Sequence, residues 1–260
     1  MQNSGKTRLF HIFMGQVFNG DGKVNLKEIF TKQKILARRK LLCLVPSTLH
    51  EEQIHTLRHQ LFIAGIHQEE ILPLNIALAP RTGVHLVISS NQDLCDITVV
   101  KNGDIIAGGS VQSIERELDG ELSRFLRENL SMDAMPEAIT DARSELTTFF
   151  SNDGRKFFLS GVNLNSHTHQ NVTIDGRDFY SFSQPSFKKL VKAIKLILKD
   201  LDPSNLADLK PNPILVFGDL FNAPGVLEFF HNELQSFVKI LTIHDIAERF
   251  SDVMEAKPML

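Results

Sequence analysis

Apolar residues arrive in short runs, parted by polar turns that carry glycine or proline, and two periods alternate along the chain. Residues 24–40 are amphipathic and end on the basic run Arg38-Arg39-Lys40. Leu41-Leu42-Cys43-Leu44-Val45, stopped by Pro46, predicts a buried strand. Ser47-Thr48-Leu49-His50-Glu51-Glu52 then offers a hydroxyl N-cap with acids in a first turn, so a helix is expected to about Ala64, closed by Gly65. Glu70 to Pro73 reads as a short strand or turn, and Asn75 to Ala79 as the start of a helix. Residues 84–88 and 96–100 read as strands, and Lys101-Asn102-Gly103-Asp104 is a strong hairpin signal leading into Ile105-Ile106-Ala107. Ile114, Leu118, Leu122, Phe125 and Leu126 place a helix over about 113–129.

Beyond residue 132 the pattern changes. Residues 137–150 look helical, and short strands are expected at Phe157–Leu159 and Asn171–Ile174 around a polar turn at 164–170. A helix is expected from Pro185, with Phe187, Leu190, Val191, Ile194, Ile197, Leu198 and Leu201 on one face. Pro211 to Phe217 predicts an apolar strand, Gly218 to Gly225 a turn, Val226 to Leu234 a helix and Phe237 to Leu241 a last strand. This order predicts an α/β protein with mixed sheets. The sequence has no repeat of fixed period.

The chain's 260 residues, 42% of them hydrophobic, suffice for one large domain or two small ones. Charged residues make up 23% and the formal net charge is −3, which gives no electrostatic reason to expect nucleic acid or an anionic membrane as a partner. The two cysteines, Cys43 and Cys95, sit in apolar runs as small hydrophobes, so a disulfide framework is not expected and a reducing cytoplasm fits best. The first eight residues lack the apolar core of a signal peptide, and no run reaches the length of a membrane span.

Some local patterns invite a sharper reading. Ser4-Gly5-Lys6-Thr7 looks like the tail of a P-loop, but the chain has no room upstream for the strand and first glycine that motif needs. Glu51, His55 and His59 share one helical face and could present metal ligands; a solvated polar face is the plainer reading. His167-Thr168-His169 reads as a hairpin tip. Lys188, Lys189, Lys192, Lys195 and Lys199 form a basic face opposite an apolar stripe, suited to an acidic partner or simply to water. No nucleophile with an activating neighbour stands out.

Leu42-Cys43-Leu44-Val45-Pro46-Ser47, then Glu52 and a helix ending Ala64-Gly65, resembles the "VCVPS…E…A…AGA" strand and helix of the MreB bacterial actins, within the actin, sugar-kinase and heat-shock-chaperone superfamily. Pro73 with Ala77 resembles that family's "EEPMAAAIG" segment. Leu86 to Val100 falls where its second phosphate loop belongs, residues 175–202 where a long helix belongs, and Pro213 to Leu234 where the adenosine motif belongs. The resemblance runs over roughly residues 15–247 and implies an actin-like, ribonuclease H-like fold. It implies a remnant of the first subdomain over 1–83, and the second over 84–260 with a small α+β insertion at about 132–185.

Measured against the family's motifs, the nucleotide residues are missing. The Asp-Leu-Gly-Thr turn of an N-terminal hairpin has no counterpart, and much of the first subdomain is expected to be absent. Where Asp-Ile-Gly-Gly-Gly-Thr-Thr would let backbone N–H groups reach phosphates, the chain reads Ser89-Ser90-Asn91-Gln92-Asp93-Leu94-Cys95: Ser89 replaces the metal carboxylate and Asp93 would repel a phosphate. Leu72 replaces the catalytic glutamate before Pro73. Ile114-Glu115-Arg116 replaces a Gly-Gly-Asp turn, and Gly218-Asp219-Leu220-Phe221 replaces Gly-Gly-Gly-Ala, putting bulk where the base would lie. The resemblance thus implies a non-catalytic actin-like protein that needs no cofactor. Its expected partners are proteins: an MreB-type filament or a membrane-associated assembly, reached from the cytoplasm. A role as adaptor to a secretion or pilus machine, an ATPase completed by a partner, and a homodimer on exposed apolar surface remain open.

Overall fold

The computed structural model describes residues 8–13, 16–19, 22–24, 41–63, 69–91, 94–150, 154–242 and 244–246, with side chains from Leu42 onward. The amphipathic stretch at 25–40 and the Ser4–Thr7 motif lie outside the described residues.

The first sheet holds β1 (Arg8–Phe13), β2 (Gln16–Asn19), β3 (Gly22–Val24), β4 (Leu41–Val45) and β5 (Glu69–Pro73), in the order β3-β2-β1-β4-β5. β1 runs antiparallel to β2, β2 antiparallel to β3, and β4 parallel to both β1 and β5. Helix α1 (Glu51–Ile63) links β4 to β5, and α2 (Leu74–Leu78) follows β5 directly. The expectation that no N-terminal hairpin exists is therefore corrected: β1 and β2 form one. Apolar residues at Leu9, Phe10, Ile12, Val17 and Phe18 were its signal in the sequence, and the Asn19-Gly20-Asp21-Gly22 stretch marks the next connection, from β2 to β3.

The second sheet holds β6 (Val84–Ser90), β7 (Leu94–Lys101), β8 (Asp104–Gln112), β12 (Ile214–Phe217) and β13 (Val238–Ile240), in the order β13-β12-β6-β7-β8. Here too the first three strands are antiparallel neighbours, and the fourth joins parallel to the first and fifth. The two sheets repeat one connectivity although the sequence shows no repeat, because topology needs only the order of apolar runs and turns. This doubled layout is the ribonuclease H-like plan of actin-like proteins.

Every residue of β6 is buried, since both its faces are covered. Val84, Leu86 and Ile88 point to a core shared with Ile97, Val99, Leu118, Phe187, Leu190 and Val216. Val87 faces the other way, into a cluster with Leu42, Leu44, Leu74, Leu78, Val100 and Leu215 that joins the two sheets through α2. The Asn102-Gly103 turn closes β7 onto β8 with φ of 53° and 93°, as the hairpin signal requires.

Between β8 and β12 run α3 (Ile114–Leu130), β9 (Met132–Asp133), α4 (Pro136–Leu146), β10 (Lys156–Asn163), β11 (His169–Asp175), α5 (Gly176–Lys199) and α6 (Pro203–Leu209). Strands β9 to β11 form a small sheet whose core includes Met132, Ile139, Leu146, Leu159, Ile174 and Phe179. Helix α5 begins nine residues before the expected Pro185, a correction with a clear cause: Asp175 caps it, accepting the N–H groups of Arg177 and Asp178. Pro185 sits inside the helix, where its cost is offset by burial of Phe179 in the small core and Phe187 in the main one. A short 3₁₀ turn (Asp219–Asn222) and α7 (Val226–Leu234) complete the second half.

Candidate functional site

The loops that follow β6, β8 and β12 converge at one end of the second sheet. In the β6–β7 turn the Asn91 N–H donates to the Leu94 carbonyl at 3.1 Å, and the Leu94 N–H donates to Asn91 Oδ1 at 3.0 Å. Ser113, the N-cap of α3, donates its hydroxyl to the Asn91 carbonyl at 2.7 Å and accepts the Arg116 N–H at 3.2 Å. The turn after β6 and the start of α3 are thus tied together. Gln92 and Asp93 lie outside the described residues.

Gly218 leaves β12 with φ 121° and ψ 159°, a conformation essentially restricted to glycine. A Cβ there would stand 2.4 Å from the Ser90 carbonyl oxygen, a backbone atom that cannot yield cheaply. Gly218→Ala is therefore expected to destabilise the protein by about 2 kcal/mol or more. Urea denaturation checks it, and an unchanged midpoint would mean the two loops are free to separate.

Glu115, in the first turn of α3, is 4% exposed. Burial pushes its carboxyl above the usual range; Arg143 pulls it down, and Asp219 and Asp119 push it further up. The nearby backbone N–H of Leu220 lowers it slightly. Arg143 in turn donates to Asp119 Oδ1 at 2.7 Å. Leu220 and Phe221 do not project from the turn: both pack in the main core, leaving Asp219 exposed at the surface.

The structure thus brings Asn91, Glu115, Gly218, Asp219 and Leu220 together. Ser89 adjoins them, between Asp96 of β7 and Phe217 of β12, whereas Leu72 is paired with Leu44 in the first sheet. The backbone N–H groups of Asn91, Leu94 and Arg116, which could cradle an anion, are engaged inside the protein. Around them stand the carboxyls of Glu115, Asp119 and Asp219 and the guanidinium of Arg143.

The other sequence candidates settle simply. His50, just before α1, and Glu51, His55 and His59 along it are all exposed, and no cluster of three metal-binding side chains occurs among the described residues. His167 takes φ 55° at the tip between β10 and β11. The five lysines line the exposed side of α5, where Lys189 pairs with Glu117 and Lys195 with Glu233. Cys43 and Cys95 are buried and unpaired with each other; burial pushes the Cys43 thiol up to about 12, helped by Glu69, so it is inert as a nucleophile. Among the described residues no helix is long and apolar enough to cross a membrane.

Sequence reasoning missed one cluster. Ser47, expected to cap α1, instead donates its N–H to Asp96 Oδ2 at 2.7 Å and places its hydroxyl 2.6 and 2.7 Å from the two carboxylate oxygens. A lone aspartate amid Cys95, Ile97 and Val99 was the available signal.

Two solved structures match this arrangement closely. MreB 5 of Spiroplasma citri bound to AMPPNP superposes with a TM-score of 0.82 at 14% identity, over 96% of this chain and 97% of that one. MreB5 of Spiroplasma citri bound to ADP gives a TM-score of 0.83 at 14% identity, over 96% and 98%. The fold is that of an MreB-type bacterial actin. No family model and no curated protein matches the sequence. In the MreB-type fold the doubled sheet stays recognisable at this low identity, since the two cores need apolar residues of suitable volume and not particular ones.

Proposed function

We propose that the chain is a non-catalytic, MreB-like scaffold of cytoskeletal type that works by binding other proteins. The observation that carries this reading is the internal use of the N–H groups of Asn91, Leu94 and Arg116 beside the acids Glu115, Asp119 and Asp219. A phosphate group entering here would meet neither free donors nor a positive field. Residues 1–83 and 84–260 would be its two actin-like subdomains, with the segment at about 132–185 as an insertion that offers further surface. The partners would be an MreB-type filament, a membrane-associated assembly or a secretion or pilus machine, met in the cytoplasm, and a second copy of the chain is a further candidate.

Calorimetric titration of the whole chain with ATP and magnesium tests this. No heat and no thermal shift are expected, against clear binding by a bacterial actin control. Micromolar, magnesium-dependent binding would overturn the reading. One observation favours a second reading, a divergent ATPase: both solved neighbours hold a nucleotide, AMPPNP in one and ADP in the other. Under that reading the same titration gives heat, and hydrolysis appears with a partner added.

A further inference from the structure

Strand β8 is an edge of the second sheet: β7 pairs with one side of it, and no strand among the described residues pairs with the other. From Ile105 to Gln112 it carries no charge and no proline, the usual guards of a sheet edge. Its one irregularity is a bulge at Ile106, which has no residue opposite it on β7. Beyond the bulge, Ala107 to Gln112 keep regular register, and alternate N–H and C=O groups of such a strand point out from the sheet.

Helix α5 lies over this edge, with Ile197 Cδ1 3.6 Å from where a Cβ on Gly109 would stand. On its inner flank Phe187 meets Phe229 and Phe230 of α7, the helix that packs on β13 at the other end of the sheet. Val191 and Leu198 share that flank by helical spacing. Lys192, Leu196 and Asp200, spaced four apart, therefore share the outer flank, beside the free side of β8. All three are exposed, Leu196 by 55%. Helix α3 covers only the earlier part of this flank, where Glu117 holds Lys189 and Phe125 meets Phe182. Among the described residues no salt bridge reaches Lys192 or Asp200. Asp200 also caps the C-terminal end of α5, where the helix dipole disfavours a lone carboxylate.

We propose that a second copy of this chain docks here edge to edge, with its β8 antiparallel to this one, so that the two second sheets become one. The surface is complementary to itself. A twofold axis normal to the sheet at Gly109 sets Ala107 opposite Val111 of the second copy, and Gly108 opposite Ser110 of that copy, with side chains on matching faces. The same axis brings the two outer flanks of α5 together antiparallel. Leu196 then meets Leu196, and Lys192 of each copy stands opposite Asp200 of the other. A different partner would have to supply a matching acid and base in reverse order, which this chain already carries. The inference deepens the partner-binding reading above and rests on it. Calorimetry with ATP decides that reading, whereas the assembly measurements below decide this one, so the two fail separately.

Sedimentation velocity of the whole, nucleotide-free chain over a wide range of concentration is the test, and a monomer–dimer equilibrium is expected. Leu196→Asp, which sets two carboxylates on the axis, is expected to raise the dimer Kd about tenfold or more. Lys192→Asp, which sets acid against acid, is expected to do the same, and adding Asp200→Lys to it is expected to restore the parent Kd to within about threefold. These positions are exposed, so the variants are expected to fold. Amide exchange separates strand pairing from helix contact alone: the outward N–H groups of Ala107 to Gln112 are expected to exchange more slowly as concentration rises. A chain that stays monomeric, a dimer indifferent to Leu196→Asp, a charge swap that restores nothing, or a β8 that exchanges equally at every concentration overturns the proposal.

Discussion

Replacing Phe187 with alanine is expected to cost about 4 kcal/mol. Phe187 is fully buried where α5 crosses the second sheet. Its ring meets Phe149 edge-on at 4.7 Å between centroids, Phe229 at 6.0 Å and Phe230 at 6.2 Å. Truncation removes the transfer free energy of the ring, opens a cavity, and strips three aromatic contacts of their shared partner. The cavity cannot collapse easily, since β6 and β7 hold its floor and α7 its wall. Phe187→Leu, which keeps much of the volume, is expected to lose no more than about 1.5 kcal/mol. Urea denaturation of both variants checks the pair. A loss under about 1 kcal/mol for alanine would mean that Phe149 and Phe229 swing in to fill the space.

The legible parts of the fold were those written in local chemistry. The apolar run before Pro46, the Asn102-Gly103 turn and the stripe on α3 each specify one conformation, and each forms as expected. What escaped was decided at a distance. Ser47 sits where a cap would be, yet its donors go to Asp96, which lies 49 residues away in sequence. Pro185 marks a helix start by local rules, but Asp175 supplies a better cap and two cores reward a longer helix. The candidate site divides the same way. The absence of glycines after β6 was readable in Ser90-Asn91, whereas the cluster of Glu115, Asp119, Asp219 and Arg143 joins residues far apart in the chain and had no sequence signature.

That cluster makes Arg143 the second sensitive point. Arg143 is buried beside Glu115, and its guanidinium holds Asp119. Both carboxyls are raised by burial, with Arg143 pulling each the other way. Arg143→Met keeps the length of the stem and removes the charge, so both carboxyls rise further. A carboxyl raised above its unfolded value binds its proton more tightly when folded. Its contribution is present below the unfolded value and is lost as the pH climbs through the folded one. The variant is therefore expected to lie nearest the parent at about pH 4 and to fall behind as the pH rises, reaching a deficit of about 3 kcal/mol near pH 8. The low end of the range for a broken buried pair applies because the Asp119 side chain keeps 30% of its exposure and water screens it. Adding Glu115→Gln to Arg143→Met is expected to recover the part of the loss that Glu115 carries and to leave the part owed to Asp119, which still lacks its guanidinium partner. Denaturation midpoints across that pH range measure both effects. A deficit of the same size at every pH would reduce Arg143 to a packing residue and remove the electrostatic account of this end of the sheet.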